Sequence, residues 1–218
     1  MKISVYYLML SKIILLLLTI PAFNSGEKYL DKIELYQKDS YYKQKVYTEH
    51  NWKSFSQLKE VQAVVDPTNY DLHLLNAAVF FATNKMRESK GSKALQFSSQ
   101  LRNAATVHTS QMIEKNFFDH FNRLTPALRS PEQRIKLFGV TSTTLAENVD
   151  YTNIPVNSNT TYLQLAEKIV KDFYDSPPHR KNMLGLEFTH LGCAAIFEAH
   201  DKQGVCYIKA TQDFSADY

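Results

Sequence analysis

The hydrophobic period of this sequence changes near residue 190, and that change restricts the possible folds more than any other feature. Before it, apolar residues recur at the three- and four-residue spacing of helices. After it, two runs rich in aliphatic and aromatic residues, His190 to Phe197 and Val205 to Phe214, flank the turn-like Asp201-Lys202-Gln203-Gly204. We therefore expect about four helices followed by a β-hairpin, which predicts an α+β domain with helices packed on an antiparallel sheet.

Capping residues indicate where the four helices begin, at Asp71, about Ser99, Ser130 and Thr161. The last two begin with capping boxes, because a Gln follows Ser130 and Thr161 by three residues. Ala146-Glu147-Asn148 lies between these two helices in a stretch without clear period. We predict that this stretch is irregular.

The N-terminal residues 1–26 resemble a secretory signal peptide. Lys2 and Lys12 precede a ten-residue apolar run, from Ile13 to Ala22, whereas a membrane-spanning helix needs about 20 residues. An uncleaved anchor is the alternative. Both place the body of the protein outside the cytoplasm, in the periplasm, at the cell surface or secreted. We interpret residues 27–70 as an extension that packs partly onto a domain formed by residues 71–218.

The charge balance gives no reason to expect a nucleic-acid ligand. The chain has 25 Lys and Arg against 22 Asp and Glu, and a formal net charge of +3. Lys2 and Lys12 belong to the predicted signal peptide, so the remaining chain is nearly neutral. Nucleic-acid binding normally requires a strongly basic surface.

Two cysteines, Cys193 and Cys206, lie on the two predicted hairpin strands. A compartment outside the cytoplasm permits a disulfide between them. With Phe197 opposite Gly204 in the hairpin, the two cysteines are diagonal rather than directly opposed, so a disulfide and two free thiols both stay open.

The stretch from Phe173 to Leu184 contains a histidine in a distinctive position. Ser176 and Pro177 are typical of a helix start, and Gly185 is typical of a helix end. His179 then falls in the first turn, where the positive end of the helix dipole disfavours imidazolium. A neutral imidazole there can bind a metal or accept a proton, and a simple polar residue in a helix cap is the alternative.

His120 and Glu147 also stand where regular elements are expected to end. Two imidazoles and a carboxylate are sufficient protein ligands for zinc, with one position left for water. The three residues His120, Glu147 and His179 are too far apart in sequence for a local zinc motif. His108, in contrast, lies on the apolar face of the second helix, so we interpret it as a hydrogen-bonded core histidine.

Seven short motifs, in order, make the chain from about residue 71 to 214 resemble the CAP superfamily, also called the SCP or PR-1-like domain, in its bacterial branch. Ala146 replaces a family Gly, Pro178 replaces another, and Met183 replaces an Ile. The motifs are Asn84 to Arg87, Ala104 to Met112, Phe117 to His120, Arg134 to Gly139, Ala146 to Asn148, Ser176 to Leu184 and Phe188 to Gly192.

The resemblance implies a three-layer α-β-α sandwich whose central cleft is lined by His120, Glu147 and His179. Family members often have two His and two acidic residues in this cleft, and some bind a divalent metal. This implies His120, His179 and Glu147 as ligands of an ion such as zinc. Asp175 is the nearest candidate for the second acid, and Asp172 is another.

The resemblance does not specify one reaction, since family members are associated with lipid or sterol binding, with defence or virulence, and with proteolysis. No Ser or Cys of this chain stands in a recognisable nucleophile motif. We therefore expect a secreted binding or interaction module rather than an enzyme, with a metal or a lipid-like molecule in its cleft and a partner outside the cell or in the envelope. The alternatives are a metal-assisted hydrolase, with Glu147 as base and a metal-bound water as nucleophile, and a structural envelope component.

Overall fold

The computed structural model describes residues 26–198 and 204–217. Residues 1–25 of the predicted signal peptide and residues 201–203 of the predicted hairpin turn therefore lie outside the described residues. No helix within the described ranges is long and apolar enough to cross a membrane.

Nine α-helices and four strands are found in the described part of the chain. Short 3₁₀ turns occur at Tyr41–Lys43 and Pro126–Leu128. The helices are α1 (Glu27–Leu30), α2 (Glu34–Gln37), α3 (Val46–Glu49), α4 (Trp52–Phe55), α5 (Leu72–Ser89), α6 (Ser99–Glu114), α7 (Pro131–Leu137), α8 (Tyr162–Asp175) and α9 (Pro177–Leu184). The strands are β1 (Gln96–Phe97), β2 (Leu145–Pro155), β3 (His190–Phe197) and β4 (Val205–Ser215).

The capping signals in the sequence correctly located the long helices. The Asp71 carboxylate accepts hydrogen bonds from the backbone N–H groups of His73 and Leu74 at the start of α5. Both predicted capping boxes form, at Ser130 and at Thr161. Ser176 occupies the N-cap position of α9, but its side chain makes no capping hydrogen bond.

The four strands form one sheet in the order β1-β3-β4-β2, in which only the short β1–β3 pair is parallel. The predicted hairpin is confirmed as the β3–β4 pair. The prediction that Ala146-Glu147-Asn148 is irregular was wrong, since these residues lie in the eleven-residue strand β2. The domain is thus α+β, with a mixed sheet at its centre.

The register of the hairpin differs from the expected one. Phe197 pairs with Ile208, not with Gly204, and Cys193 pairs with Gln212. Gln212, the residue opposite Cys193, lies six positions along β4 from Cys206. At the rise of an extended strand, this offset separates the two cysteines by roughly 20 Å. No disulfide joins Cys193 and Cys206, and both are buried.

Helices cover both faces of the sheet, which produces the three layers. On one face, Thr109 of α6 and Thr211 of β4 share a hydrogen bond of 2.8 Å between their hydroxyl groups. On the other face, Gln212 donates to the hydroxyl group of Thr83 on α5 at 2.8 Å. Adjacent residues of β4 therefore bond to different layers, as the alternation of a strand requires.

The outer edge of β3 is covered by side chains where β1 ends. The backbone N–H of Ala195 donates to the side-chain oxygen of Asn76 at 2.9 Å. The backbone N–H of Phe197 donates to the Tyr70 hydroxyl group at 3.2 Å. Two strand N–H groups that have no neighbouring strand are thus satisfied.

The extension before residue 71 contributes buried side chains to the same hydrophobic core as the domain. Val46, Phe55 and Val61 are fully buried in it. The Tyr47 ring stacks on Phe97 of β1, with 3.5 Å between ring centroids. The extension therefore packs against β1 and the adjacent helices.

Candidate functional site

The side chains of Glu147 and Asn148 on strand β2 contact opposite layers of the fold. Glu147 contacts His108 of α6 and His120 of the following loop. Asn148 donates to the backbone oxygen of His179 on α9 at 3.1 Å. Because side chains alternate along a strand, β2 separates the polar groups around Glu147 from those around Asn148. The sequence interpretation did not predict this separation, since it did not predict the strand.

Glu147 is the centre of a buried charge network, and its side chain is only 1% exposed. Its Oε1 atom lies 2.9 Å from Nδ1 of His120 and 3.7 Å from Nε2 of His108. Its Oε2 atom accepts a hydrogen bond of 2.6 Å from Arg134. Burial by itself would raise the pKa of Glu147, but the interactions with His108, His120 and Arg134 outweigh burial and lower it.

The two histidines of this network have different charge preferences. Burial lowers the pKa of His108 to about 4, so this side chain is neutral near pH 7. The hydrogen bond to Glu147 raises the pKa of His120 against the effect of its partial burial. Near neutral pH, Arg134 and His120 therefore stabilise the Glu147 carboxylate. The interpretation of His108 as a hydrogen-bonded core residue agrees with its contact to the Asp119 carbonyl oxygen at 3.1 Å.

Asp213 is a second buried acid, and the sequence interpretation missed it. It pairs with Glu147 across the β2–β4 ladder, and it is completely buried. No hydrogen-bond donor among the described residues faces either of its carboxyl oxygens. Burial and the neighbouring Glu147 carboxylate raise the pKa of Asp213 well above its ordinary value, which favours the neutral acid. The only signal in the sequence is an acid within a predicted hairpin strand, between Gln212 and Phe214.

His179 lies near this network but does not join it through a described hydrogen bond. Its ring packs edge-on against Phe173, with 5.6 Å between centroids. Burial, and secondarily the charge of His120, lower its pKa. The direction agrees with the neutral state predicted from the sequence, although burial is the main cause rather than the helix dipole.

The two acids proposed as cleft partners lie elsewhere. Asp175 pairs with Lys171 on the exposed side of α8 and lines a separate cavity with Met86 and Tyr174. Asp172 accepts from Lys168 at 2.8 Å and from Thr152 at 2.9 Å. Asp175 of α8 thus lines a different cavity from the groove beside His120 and Glu147. Its place in a shared cleft stays a prediction from the resemblance.

An open groove of about 580 Å³ leads to His120 and Glu147. The side chain of His120 is 40% exposed, so it connects the groove with the buried network. His179 is not among the lining residues, which are His120, Phe121, Ser130, Pro131, Glu132, Thr143, Leu145, Ala146 and Glu147.

The arrangement of the described side chains does not fit the zinc centre expected from His120, Glu147 and His179. Within residues 26–198 and 204–217, no group of three His, Cys, Asp or Glu side chains is placed to hold a metal ion. The Glu147 oxygens are already bonded to Arg134 and His120. Zinc binding is implied by the family resemblance alone, and the described side chains offer it no group of three ligands.

Comparisons with known proteins agree with this architecture. The chain is 34% identical over 110 residues to the uncharacterized protein YkwD of Bacillus subtilis (strain 168), a match that covers 50% of this chain and 38% of that relative. The chain thus spans well under half of the relative it matches.

A solved structure of a bacterial protein shares the fold. An extracellular protein containing an SCP domain from Bacillus anthracis str. Ames aligns with a TM-score of 0.50 and 23% identity, over 67% of this chain and 41% of that chain. An outer surface protein from Borrelia burgdorferi aligns with a TM-score of 0.47 and 14% identity, over 64% of this chain and 90% of that chain.

A family model covers Glu147, its partners His108, His120 and Arg134, and the groove. The model is described as the cysteine-rich secretory protein family, CAP, and it matches residues 80–208. These residues include α6, the His120 loop, α7, β2, α9 and β3. Because this match covers more than half of the sequence, the chain belongs to the cysteine-rich secretory protein family.

Proposed function

We propose that this protein is a binding module that acts outside the cytoplasm and takes a largely apolar ligand into the groove beside His120. The observation that supports the proposal most is a set of exposed apolar side chains on the loop that carries His120. Phe118, Phe121 and Leu124 are 49%, 48% and 60% exposed. Phe121 lines the groove, and Phe118 and Leu124 lie three residues before and after it on the same loop. Exposed apolar side chains beside a concave surface are typical of a binding site.

The chemistry of the groove favours an apolar ligand with one polar group. Phe121, Pro131 and Leu145 provide apolar walls, and the volume of about 580 Å³ lies within the usual range for small-molecule sites. The half-exposed His120 imidazole offers one hydrogen-bonding group to such a ligand. The negative charge of Glu147 is balanced inside the protein, so it does not require a cationic ligand.

The same geometry gives little support to the alternative of a hydrolase that uses Glu147 as base. A general base must reach the proton it removes, directly or through one water. The Glu147 side chain is 1% exposed, and its oxygens are bonded to Arg134 and His120. We therefore retain binding as the proposed function.

A fluorescent fatty acid, cis-parinaric acid, tests the proposal. We expect saturable 1:1 binding to the wild-type protein and roughly tenfold weaker binding to Phe121→Ser, because one partly exposed aromatic contact contributes on the order of 1.4 kcal/mol. Leu186→Ser is the matched control, since Leu186 is 81% exposed and lies outside the groove. Absence of saturable binding, or an equal loss in both variants, would reject an apolar ligand in this groove.

A further inference from the structure

Arg134 places a positive charge directly beside the buried Glu147 carboxylate. It is completely buried, and it comes from α7 rather than from the elements that carry the histidines. Its Nη2 atom lies 2.6 Å from Oε2 of Glu147. We propose that Arg134 is the resident cation of this site and a positioning residue that holds the His120 loop on β2 without a metal ion.

The hydrogen bonds of Arg134 join three separate parts of the groove. Its Nη2 atom donates to Glu147 of β2 and, at 2.9 Å, to the backbone oxygen of His120. Its Nη1 atom donates to the backbone oxygens of Leu128 at 2.8 Å and Arg129 at 3.4 Å. One planar guanidinium group therefore fixes the strand, the His120 loop and the segment before α7 in one arrangement.

The contact with Glu147 is more than a neutral hydrogen bond. A buried carboxylate is stable only when it is paired and hydrogen-bonded, and arginine stays charged at every physiological pH. A divalent ion at Oε2 would lie directly beside this guanidinium group and be repelled by it. The Arg134 guanidinium group thus balances the Glu147 charge without an added ion. This explains why the described side chains around Glu147 do not form a metal-ligand group.

Arg87 provides a matched comparison within the same molecule. It is also buried, at 1% exposure, but it donates to the carbonyl oxygens of Lys93, Met183 and Gly185 rather than to a carboxylate. Removal of either arginine deletes a buried guanidinium group. Only removal of Arg134 releases Glu147 and the His120 loop.

Hydrogen exchange measured by mass spectrometry on the full chain tests the positioning role. For Arg134→Met we expect amide exchange in residues 117–129 to become at least tenfold faster, with residues 183–187 unchanged. Arg87→Met should show the opposite distribution. Arg134→Lys keeps a positive charge but cannot donate to all four acceptors, so it should give an intermediate increase in the amide exchange rate of residues 117–129. This variant replaces Arg134→Met in the test if Arg134→Met does not fold. Equal exchange in residues 117–129 for wild type and Arg134→Lys would overturn the proposal.

Zinc titration by calorimetry tests the other half of the proposal on the wild-type protein. We expect no 1:1 zinc binding with a dissociation constant below about 100 μM at pH 7. Stoichiometric zinc binding that is lost in both His120→Ala and Glu147→Gln would show that a metal, and not Arg134, is the cation of the site. This readout does not depend on the ligand of the groove, so it is separate from the test of the proposed function.

Discussion

At the scale of single residues, the Glu147 carboxylate should be essential to stability. In Glu147→Gln the side chain keeps its shape but leaves the Arg134 charge buried without a counter-ion. We expect a loss of about 3–5 kcal/mol in the free energy of unfolding, measured by urea denaturation. Glu132→Gln is the control, because its pair with Lys136 is largely exposed and should contribute less than about 1 kcal/mol. Similar losses in the two variants would contradict this account.

Asp150 should make stability depend on pH in a distinct window. Burial, and next the charge of Asp172, raise its pKa to about 6. The folded state then holds the proton more strongly than the unfolded state, so the stability present at low pH is lost as the pH rises from about 4 to about 6. Asp150→Asn should therefore increase the free energy of unfolding by on the order of 2 kcal/mol at pH 7, and have little effect at pH 3.

Denaturation of Asp150→Asn at both pH values, beside the exposed control Asp31→Asn, checks this window. An equal effect at pH 3 and pH 7 would mean that titration of Asp150 is not the cause. The charged groups that face Asp150 and influence its pKa are Asp172, which raises it, and Lys168, which lowers it.

The sequence predicted part of the site and not its balancing charges. His120 and Glu147 were identified from their positions at expected element ends and from the family resemblance, and they are hydrogen-bonded to each other. Asp213 was missed because its position opposite Glu147 follows from the β2–β4 register, which a single sequence does not contain. Arg134 was noted only as the first residue of a motif, since nothing local shows which acid a buried arginine will meet.

At the scale of secondary structure elements, the contact of α6 with β3 depends on Gly192. A Cβ atom built on this residue would lie 1.9 Å from the backbone nitrogen of Arg102, which cannot move without displacing α6. We expect Gly192→Ala to destabilise the fold by about 3 kcal/mol or more, as measured by thermal unfolding.

Gly91→Ala is the comparison variant for this contact. Gly91 has a φ angle of +81° and open space around its Cα atom, so only backbone strain of about 1 kcal/mol should result. If Gly91→Ala were the more damaging change, close helix–strand packing would not be the function of Gly192.

Elements were predictable where local signals exist and unpredictable where only packing decides. The caps of α5, α7 and α8 were present in the sequence. Strand β2 was missed because Glu147, Asn148, Asp150 and Asn153 all have low strand propensity. Its pairing with β4 and burial between layers determine its conformation, and these are long-range effects.

At the scale of the whole molecule, residues 26–70 and the rest of the domain should unfold together. Phe55 is fully buried and stacks on Phe81 of α5, with 4.3 Å between centroids. Phe55→Ala should cost about 3–5 kcal/mol and lower the unfolding midpoint of the entire described fold. The fluorescence of Trp52, the single Trp of the chain, reports on the extension, and circular dichroism reports on the long helices.

Coincident transitions from the two probes in Phe55→Ala would establish one cooperative unit. The control is Tyr41→Ala, whose side chain is at the surface and should change the midpoint little. Separate transitions would show that the extension is an independent attachment.

The covered edge of β3 has a consequence for behaviour at high concentration. Beyond β1, the strand would present free N–H groups to any other extended chain, which is how folded proteins begin to aggregate edge to edge. The side chains of Asn76 and Tyr70 occupy these donors. Tyr70 lies just before the first long helix and Asn76 lies within it, so both are synthesised more than a hundred residues before the β3 residues that they cover. Side chains from early in the chain therefore protect the C-terminal hairpin from the addition of a strand from another molecule.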